Sequence, residues 1–260
     1  MGRYDRQTVF EQLGPEGQRR LGRARALIVG VGGLGCTVAE LLARSGVGAL
    51  RLVDDDTVEV VNLHRQILYD ESDAAAGAEK VAAAAARLAK INREVSLEPV
   101  AARFAPDNAE RLARDVDVII DGTDNFATRF VINDLAVRDA LPWVFAGALG
   151  AECQTMTIVP GRTPCLRCLY ESPPPPSEHP TCLTAGVIPP AVVAVAAVQA
   201  AEGMKILAGQ AERASPFLLK FDFWANTVQR IDVAAACGDA DCPCCKRRHF
   251  EFLCPEPGAR

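Results

Sequence analysis

The run "RALIVGVGGLG" at residues 25–35 restricts what this chain can fold into more than any other stretch. A short apolar run ending in glycine reads as a buried parallel strand. The glycines at 30, 32, 33 and 35 permit a tight turn, close approach of backbone to a phosphate, and close packing of the next helix on the sheet. Apolar side chains at 38, 41 and 42, with Gly46 closing the segment, read as an amphipathic helix ending in glycine. Strand, glycine turn and helix together predict a nucleotide site, without saying which nucleotide.

The alternation continues. Residues 8–22 have helical character, 49–54 ("ALRLVD") read as a second strand, 77–92 as an alanine-rich helix and 96–104 as a third strand. "AERLARD" is a helix leading to a fourth strand at 116–121, followed by a helix in "RFVINDLAVRDAL" and a strand in "PWVFAGA". This pattern predicts an α/β fold, a Rossmann-like, doubly wound and mostly parallel sheet. After Gly150, "CQTMTIVP" and "LLKFDFWANTVQRIDV" predict antiparallel strands extending the sheet, beside a long helix at 187–208. The expected organisation is one continuous domain over 1–260, a nucleotide-binding half at about 1–150 and a cysteine-bearing half at about 151–260. Residues 171–182, "ESPPPPSEHPTC", read as an extended, exposed, mobile loop.

Composition narrows the partners. The net charge of −5 is spread along the chain, and no basic stripe with interleaved aromatics is present, which argues against nucleic acid. The N-terminus lacks an apolar signal core, and the apolar run at 187–201 is short for a bilayer and holds two prolines and a glutamine. The expected location is the cytosol, with no membrane partner. Ten cysteines in such a chain point to metal or thiol chemistry rather than to a disulfide framework.

Asp54 to Asp56 lie where the second strand ends, so one carboxylate can hold ribose hydroxyls, as in an NAD site. Asn62, Arg65 and Lys80 follow, and they supply more positive charge than a pyrophosphate diester needs. That surplus suits a triphosphate attacked at its α-phosphorus, where the crowded transition state and departing pyrophosphate gain negative charge. Asp121 and Asp124 fall at the rim where open α/β sheets bind ligands; Asp124 is placed to hold Mg²⁺, the alternative being that Asp or Asn caps the next helix. No G-x-x-x-x-G-K-[ST] occurs, which excludes a Walker-type site.

Two thiol pairs, Cys165 with Cys168 and Cys242 with Cys245, can each hold one edge of a tetrahedral Zn²⁺; a redox pair is the alternative, and Cys244 could replace a neighbour as ligand. Cys36 and Cys153 read as core residues, Cys237 and Cys254 have no assigned role, and His64, His179 and His249 read as loop or surface residues.

In order, "YDRQ", "GVGGLG", "DDDTVEVVNLHRQ", "AEK", "DGTDN" and the two cysteine pairs resemble the ThiF, MoeB and HesA family, bacterial relatives of ubiquitin-activating enzymes, from about Tyr4 to Cys245. The resemblance implies adenylation of the C-terminal Gly-Gly carboxylate of a ubiquitin-like sulfur carrier with Mg·ATP, releasing pyrophosphate, for thiamine, molybdopterin or a related pathway. It implies that Gly35, Asp56, Asn62, Arg65, Lys80, Asp124 and Asn125 contact ATP or Mg²⁺, alongside the Gly33 and Asp54 of the glycine-loop reading. It further implies a homodimer in which Arg6 reaches the neighbouring subunit's ATP, and a single Zn²⁺ held by both cysteine pairs. Cys182 matches a position where some members carry a thiol that bonds to the carrier; a covalent role and a spare cysteine both remain open. With no sulfur-donor domain expected before Arg260, a separate sulfur donor is anticipated. Rival readings are an activating enzyme for a tRNA nucleoside or peptide carboxylate, an NAD-dependent oxidoreductase, and a non-catalytic carrier-binding scaffold.

Overall fold

The computed structural model describes residues 2–174, 182–237 and 241–253, with the side chains of 182, 183, 236 and 237 outside that description. The expected helix at 8–22 is two, α1 (Asp5–Thr8) and α2 (Gly14–Leu21). Gly14 has a φ of +60°, which a continuing right-handed helix excludes, and Pro15 is accepted only in a first helical turn.

The alternating region then runs as read from the pattern: β1 (Arg25–Val29), α3 (Gly33–Arg44), β2 (Ala49–Asp54) and, after a short helix α4 (Glu71–Ala75) that periodicity does not signal, α5 (Lys80–Ile91). Helix α4 owes its start to a reciprocal cap, Asp70 accepting from Ser72 and Asp73 while Asp73 accepts from Asp70 N. Next come β3 (Ser96–Ala101), α6 (Pro106–Leu112), β4 (Val118–Asp121), α7 (Phe126–Arg138) and β5 (Trp143–Leu149). Beyond Gly150 lie β6 (Glu152–Ile158), α8 (Leu166–Leu169), α9 (Cys182–Ala185), α10 (Pro189–Leu207), β7 (Leu218–Asp222), β8 (Thr227–Ile231) and α11 (Val233–Cys237).

All eight strands form one sheet in the order β3-β2-β1-β4-β5-β6-β7-β8. Pairs from β3 through β5 are parallel and those from β5 onward antiparallel. Strand alternation divides the core. Ala26 and Ile28 point to the face covered by α3, α5 and α10, whereas Leu27 and Val29 point to the face covered by α6 and α7. Helix α10 starts with Pro189 and Pro190 in its first turn, where an N–H would have no intrahelical partner. At 19 residues it is the one described helix long and apolar enough to cross a membrane, longer than the run at 187–201 suggested, but Val192, Val195, Ala196 and Ala200 are buried in the core it shares with α3.

The strand order reverses between β1 and β4, and there three glycines bring backbone onto backbone. A methyl group on Gly35 would lie 1.9 Å from Gly30 O, and one on Gly122 would lie 2.1 Å from the same oxygen. Gly122→Ala is therefore expected to lower unfolding free energy by about 1–3 kcal/mol, the usual cost of forcing an extra carbon into a packed core. Urea unfolding checks this, and an unchanged midpoint would contradict the close approach.

Candidate nucleotide site and cysteine cluster

At the carboxyl end of β1 the chain turns through Gly30 to the start of α3, whose N-cap residue Gly32 offers no side-chain cap. The first turn of α3 therefore presents its unpaired N–H groups to whatever lies above the loop. The loop is fastened to its neighbours by backbone: Gly30 N donates to Val53 O at 2.8 Å and Gly122 N to Val29 O at 2.7 Å. Gly33 is required for space, since a methyl there would lie 2.9 Å from Val192 Cγ1 on α10 and 3.4 Å from Arg65 Cγ.

A relay of hydrogen bonds leads from this loop along the rim. Val31 N donates to Asp54 Oδ2 at 2.6 Å, Asp56 N donates to Asp54 Oδ1 at 2.9 Å, and Lys80 Nζ donates to Asp56 Oδ2 at 2.6 Å. Burial pushes the Asp54 carboxyl above its ordinary range, and the nearby Lys80 cation pulls it back. The Lys80 side chain is 6% exposed and that of Asp56 67%, so a buried ammonium is paired with a carboxylate standing in water. Among the described residues Asp56 takes one of its three donors, and the others are available to a ligand. Arg65 is braced by Asn62, with Nη2 donating to Oδ1 at 2.8 Å.

At the end of β4 the two rim aspartates part company. Asp121 is fully buried, accepting from Arg129 Nε at 3.0 Å and from Thr123 N and Oγ1 at 2.9 and 2.6 Å. Burial raises its carboxyl above the usual range and Arg129 opposes the shift. Its chemistry is structural. Asp124 is exposed at the rim, and Asn125 rather than Asp124 caps α7, its Oδ1 accepting from Thr128 N at 2.9 Å. Arg129 also donates to Thr123 O at 2.6 Å and Ala146 O at 3.0 Å, so it fixes the turn that carries Asp124. Neither Arg129 nor Gln199 was found from the sequence. Gln199, a lone polar residue in an apolar run, donates to Asp121 O at 2.7 Å and Val144 O at 2.8 Å, and that interruption was the available signal.

On the α7 side, Cys165, Cys168, Cys242 and Cys245 place their sulfurs within 4.8 Å of one another. The Sγ separations are 3.9 Å for 165 to 168, 3.6 Å for 165 to 242 and 3.5 Å for 168 to 245. A tetrahedron with Zn–S bonds of about 2.3 Å has edges of about 3.8 Å, so the four thiols fit one zinc ion. Cys244 lies outside that set of four: it is fully buried, accepts from Asn133 Nδ2 at 3.3 Å, and neighbours Cys165 as well. Asn133 also accepts from Leu166 N at 2.8 Å, clamping the cysteine cluster to α7. Burial pushes the Cys36 and Cys153 thiols up to about 12, as expected of inert core residues.

Arg6 is not brought to this site. Tyr4 OH donates to Glu94 at 3.0 Å and accepts from Asn92 at 2.8 Å, and Gln7 donates to Ser45 O at 2.9 Å. These contacts hold α1 at the amino end of the sheet, a strand length of roughly 16 Å from the glycine loop. His64 is exposed, with Nδ1 3.0 Å from Val61 O, and His249 is exposed. His179, Cys254 and residues 175–181 of the proline-rich segment lie outside the described residues, as do the side chains of Cys182 and Cys237.

The ThiF family model matches residues 4–244. The chain is 42% identical over 252 residues to the sulfur carrier protein ThiS adenylyltransferase of Bacillus subtilis, covering 97% of this chain and 74% of that protein. It is 39% identical over 249 residues to a sulfur carrier protein adenylyltransferase of Thermus thermophilus, covering 92% and 91%. Among solved structures, E. coli MccB with ATP superposes with a TM-score of 0.77 at 24% identity, over 88% of this chain and 71% of that one, a likeness of fold. With the family model spanning the glycine loop, the rim carboxylates and the first three cluster cysteines, the chain belongs to the ThiF family.

Proposed function

We propose that this protein adenylates the C-terminal Gly-Gly carboxylate of a small ubiquitin-like sulfur carrier, consuming ATP and releasing pyrophosphate. The observation that carries the reading is the buried Lys80 ammonium, paired only with an exposed carboxylate among the described residues, beside an uncapped helix start and Arg65. Relatives that align along more than nine-tenths of the chain carry carrier adenylation in their names, which supports the same substrate class.

In this reading the carboxylate oxygen attacks the α-phosphorus, the bond from that phosphorus to the bridging oxygen of the β-phosphate breaks, and pyrophosphate leaves with the electron pair. The nucleophile is already ionised at neutral pH, so no general base is required. The chain's work is positioning and charge neutralisation. The start of α3 and the cations of Lys80 and Arg65 meet the phosphates, Asp54 meets the ribose, and Asn62 keeps Arg65 aimed. Mg²⁺, when bound through Asp124, supplies charge neutralisation on the phosphates. Zn²⁺, held by Cys165, Cys168, Cys242 and Cys245, supplies structure by tying both segments to α7.

Arg6, anchored far from its own glycine loop, is assigned to the partner's site in a homodimer. Adenylation brings no sulfur with it, so a separate donor protein belongs to the proposal, as does a cytoplasmic location.

Carrier-dependent ATP–pyrophosphate exchange by the purified protein is the expected result. Asp124→Ala should abolish it while leaving metal content and melting temperature unchanged; exchange surviving in that variant would refute the Mg²⁺ assignment, and no exchange with any Gly-Gly-ended carrier would refute the function. Mixing inactive Arg6→Ala and Asp124→Ala chains should restore activity to roughly a quarter of the sites, because half the dimers are mixed and each has one intact site. Failure to complement would place Arg6 outside the active site. Elemental analysis should find about one zinc per chain, lost in Cys245→Ser and kept in Cys244→Ser; the opposite pattern would reverse the ligand register.

A further inference from the structure

A tetrahedral ion treats its four sulfur ligands alike, but burial of the cysteine cluster does not. Cys165 and Cys242 are 1% and 4% exposed, whereas Cys168 and Cys245 are only half-buried. The cluster therefore has an inner edge, 165 to 242, and an outer edge, 168 to 245, with sulfurs 3.6 and 3.5 Å apart. Each edge joins two distant segments, its residues lying 77 positions apart in the chain. A fifth thiol, Cys244, is fully buried beside the inner Cys165.

The frame around the outer edge is fixed by contacts that do not involve it. Asn133 on α7 accepts from Leu166 N at 2.8 Å, Asp134 accepts from Phe252 N at 3.1 Å, and Arg167 donates to His249 O at 3.3 Å. Both segments are thus held to α7 and to each other. Bringing the outer sulfurs from 3.5 Å to the roughly 2.05 Å of a disulfide needs a shift of about 1.5 Å, within reach of side-chain rotation. Of the cross-segment pairs, this is the one that a small oxidant meets first.

We propose that Cys168 and Cys245 are a peroxide-sensitive pair, oxidised reversibly to a disulfide that replaces zinc as the tie between the two segments. The inference rests on the zinc assignment above. The thiolate sulfur of one residue attacks an oxygen of hydrogen peroxide, the O–O bond breaks, and the leaving hydroxide takes a proton from solvent to become water. The other sulfur attacks the resulting sulfenic acid, the S–O bond breaks, and a second hydroxide leaves and is protonated in the same way. The two thiolates lose two electrons and the peroxide is reduced to two waters. Only two of four ligands then remain for the zinc ion, whose charge is unchanged, and it is released. Reduction by a thiol with zinc present reverses the change.

The test treats the purified, zinc-loaded full chain with hydrogen peroxide and reads released zinc with a colorimetric chelator, disulfides by peptide mapping, and Tm. About one zinc per chain should appear for each peroxide consumed, together with a Cys168–Cys245 disulfide. The oxidised, zinc-free protein should melt roughly 5 °C or more above reduced protein stripped of zinc, since a cross-link constrains the unfolded chain. Cys244→Ser should give the same disulfide and the same release. Any other principal disulfide, one through Cys244 included, would overturn the inference, as would zinc that stays bound under peroxide or an oxidised form that melts with the reduced zinc-free one. A chain that holds no zinc as purified would instead sink the metal assignment, and the position of the disulfide and the melting comparison would still decide the pair.

Discussion

Backbone meets backbone at the reversal of strand order, where Gly30, Gly35 and Gly122 leave no room for a single side-chain carbon. The rest of the site depends on that contact. It lets the start of α3 sit against the ends of β1 and β4, so the positive end of the helix faces the crevice between the two strand series. It also sets Val31 N within reach of Asp54, from which the relay through Asp56 to Lys80 runs. A side chain at any of the three positions would part the strands before it altered any polar contact.

Two buried cations illustrate how burial and partner count separate structure from function. Arg129 has Nε and Nη2 engaged by Asp121, Thr123 O and Ala146 O, and its guanidinium lies over the rings of Phe126 and Phe145 at 5.4 and 5.1 Å. Removing either partner of such a pair leaves an uncompensated charge, typically at a cost of about 3–5 kcal/mol. Lys80 is as deeply buried, but its partner carboxylate is in water, where screening keeps the pair weak. The first cation belongs to the fold, and the second keeps donors that its one partner among the described residues does not take.

Much of this was legible because it is local. Strand runs, alanine-rich helices and the glycine loop are written in neighbouring residues, and β2 ends at Asp54 as the pattern requires. The break between α1 and α2 turned on the φ of one glycine, which an averaged helical pattern conceals. The choice between Asp124 and Asn125 as helix cap required coordinates, since either residue type suits the role. The meeting of two cysteine pairs separated by over seventy residues came from family resemblance, because spacing within each pair says nothing of the distance between pairs. Arg129 and Gln199 lay outside the sequence reading because each matters through its burial, and of the two only Gln199, a polar break in an apolar run, leaves a mark in the sequence.

The mooring of α1 has a consequence for kinetics. Tyr4 fills the space over Gly46 so fully that a methyl there would lie 2.4 Å from the ring, and Gln7 shares Ser45 O with Gln18, so the helix is fixed at the amino end of the sheet, away from its own glycine loop. If Arg6 acts on ATP, it acts on another copy's, and the competent unit is a pair of chains. At high dilution the rate then follows the square of protein concentration, and mass action governs activity before any effector does.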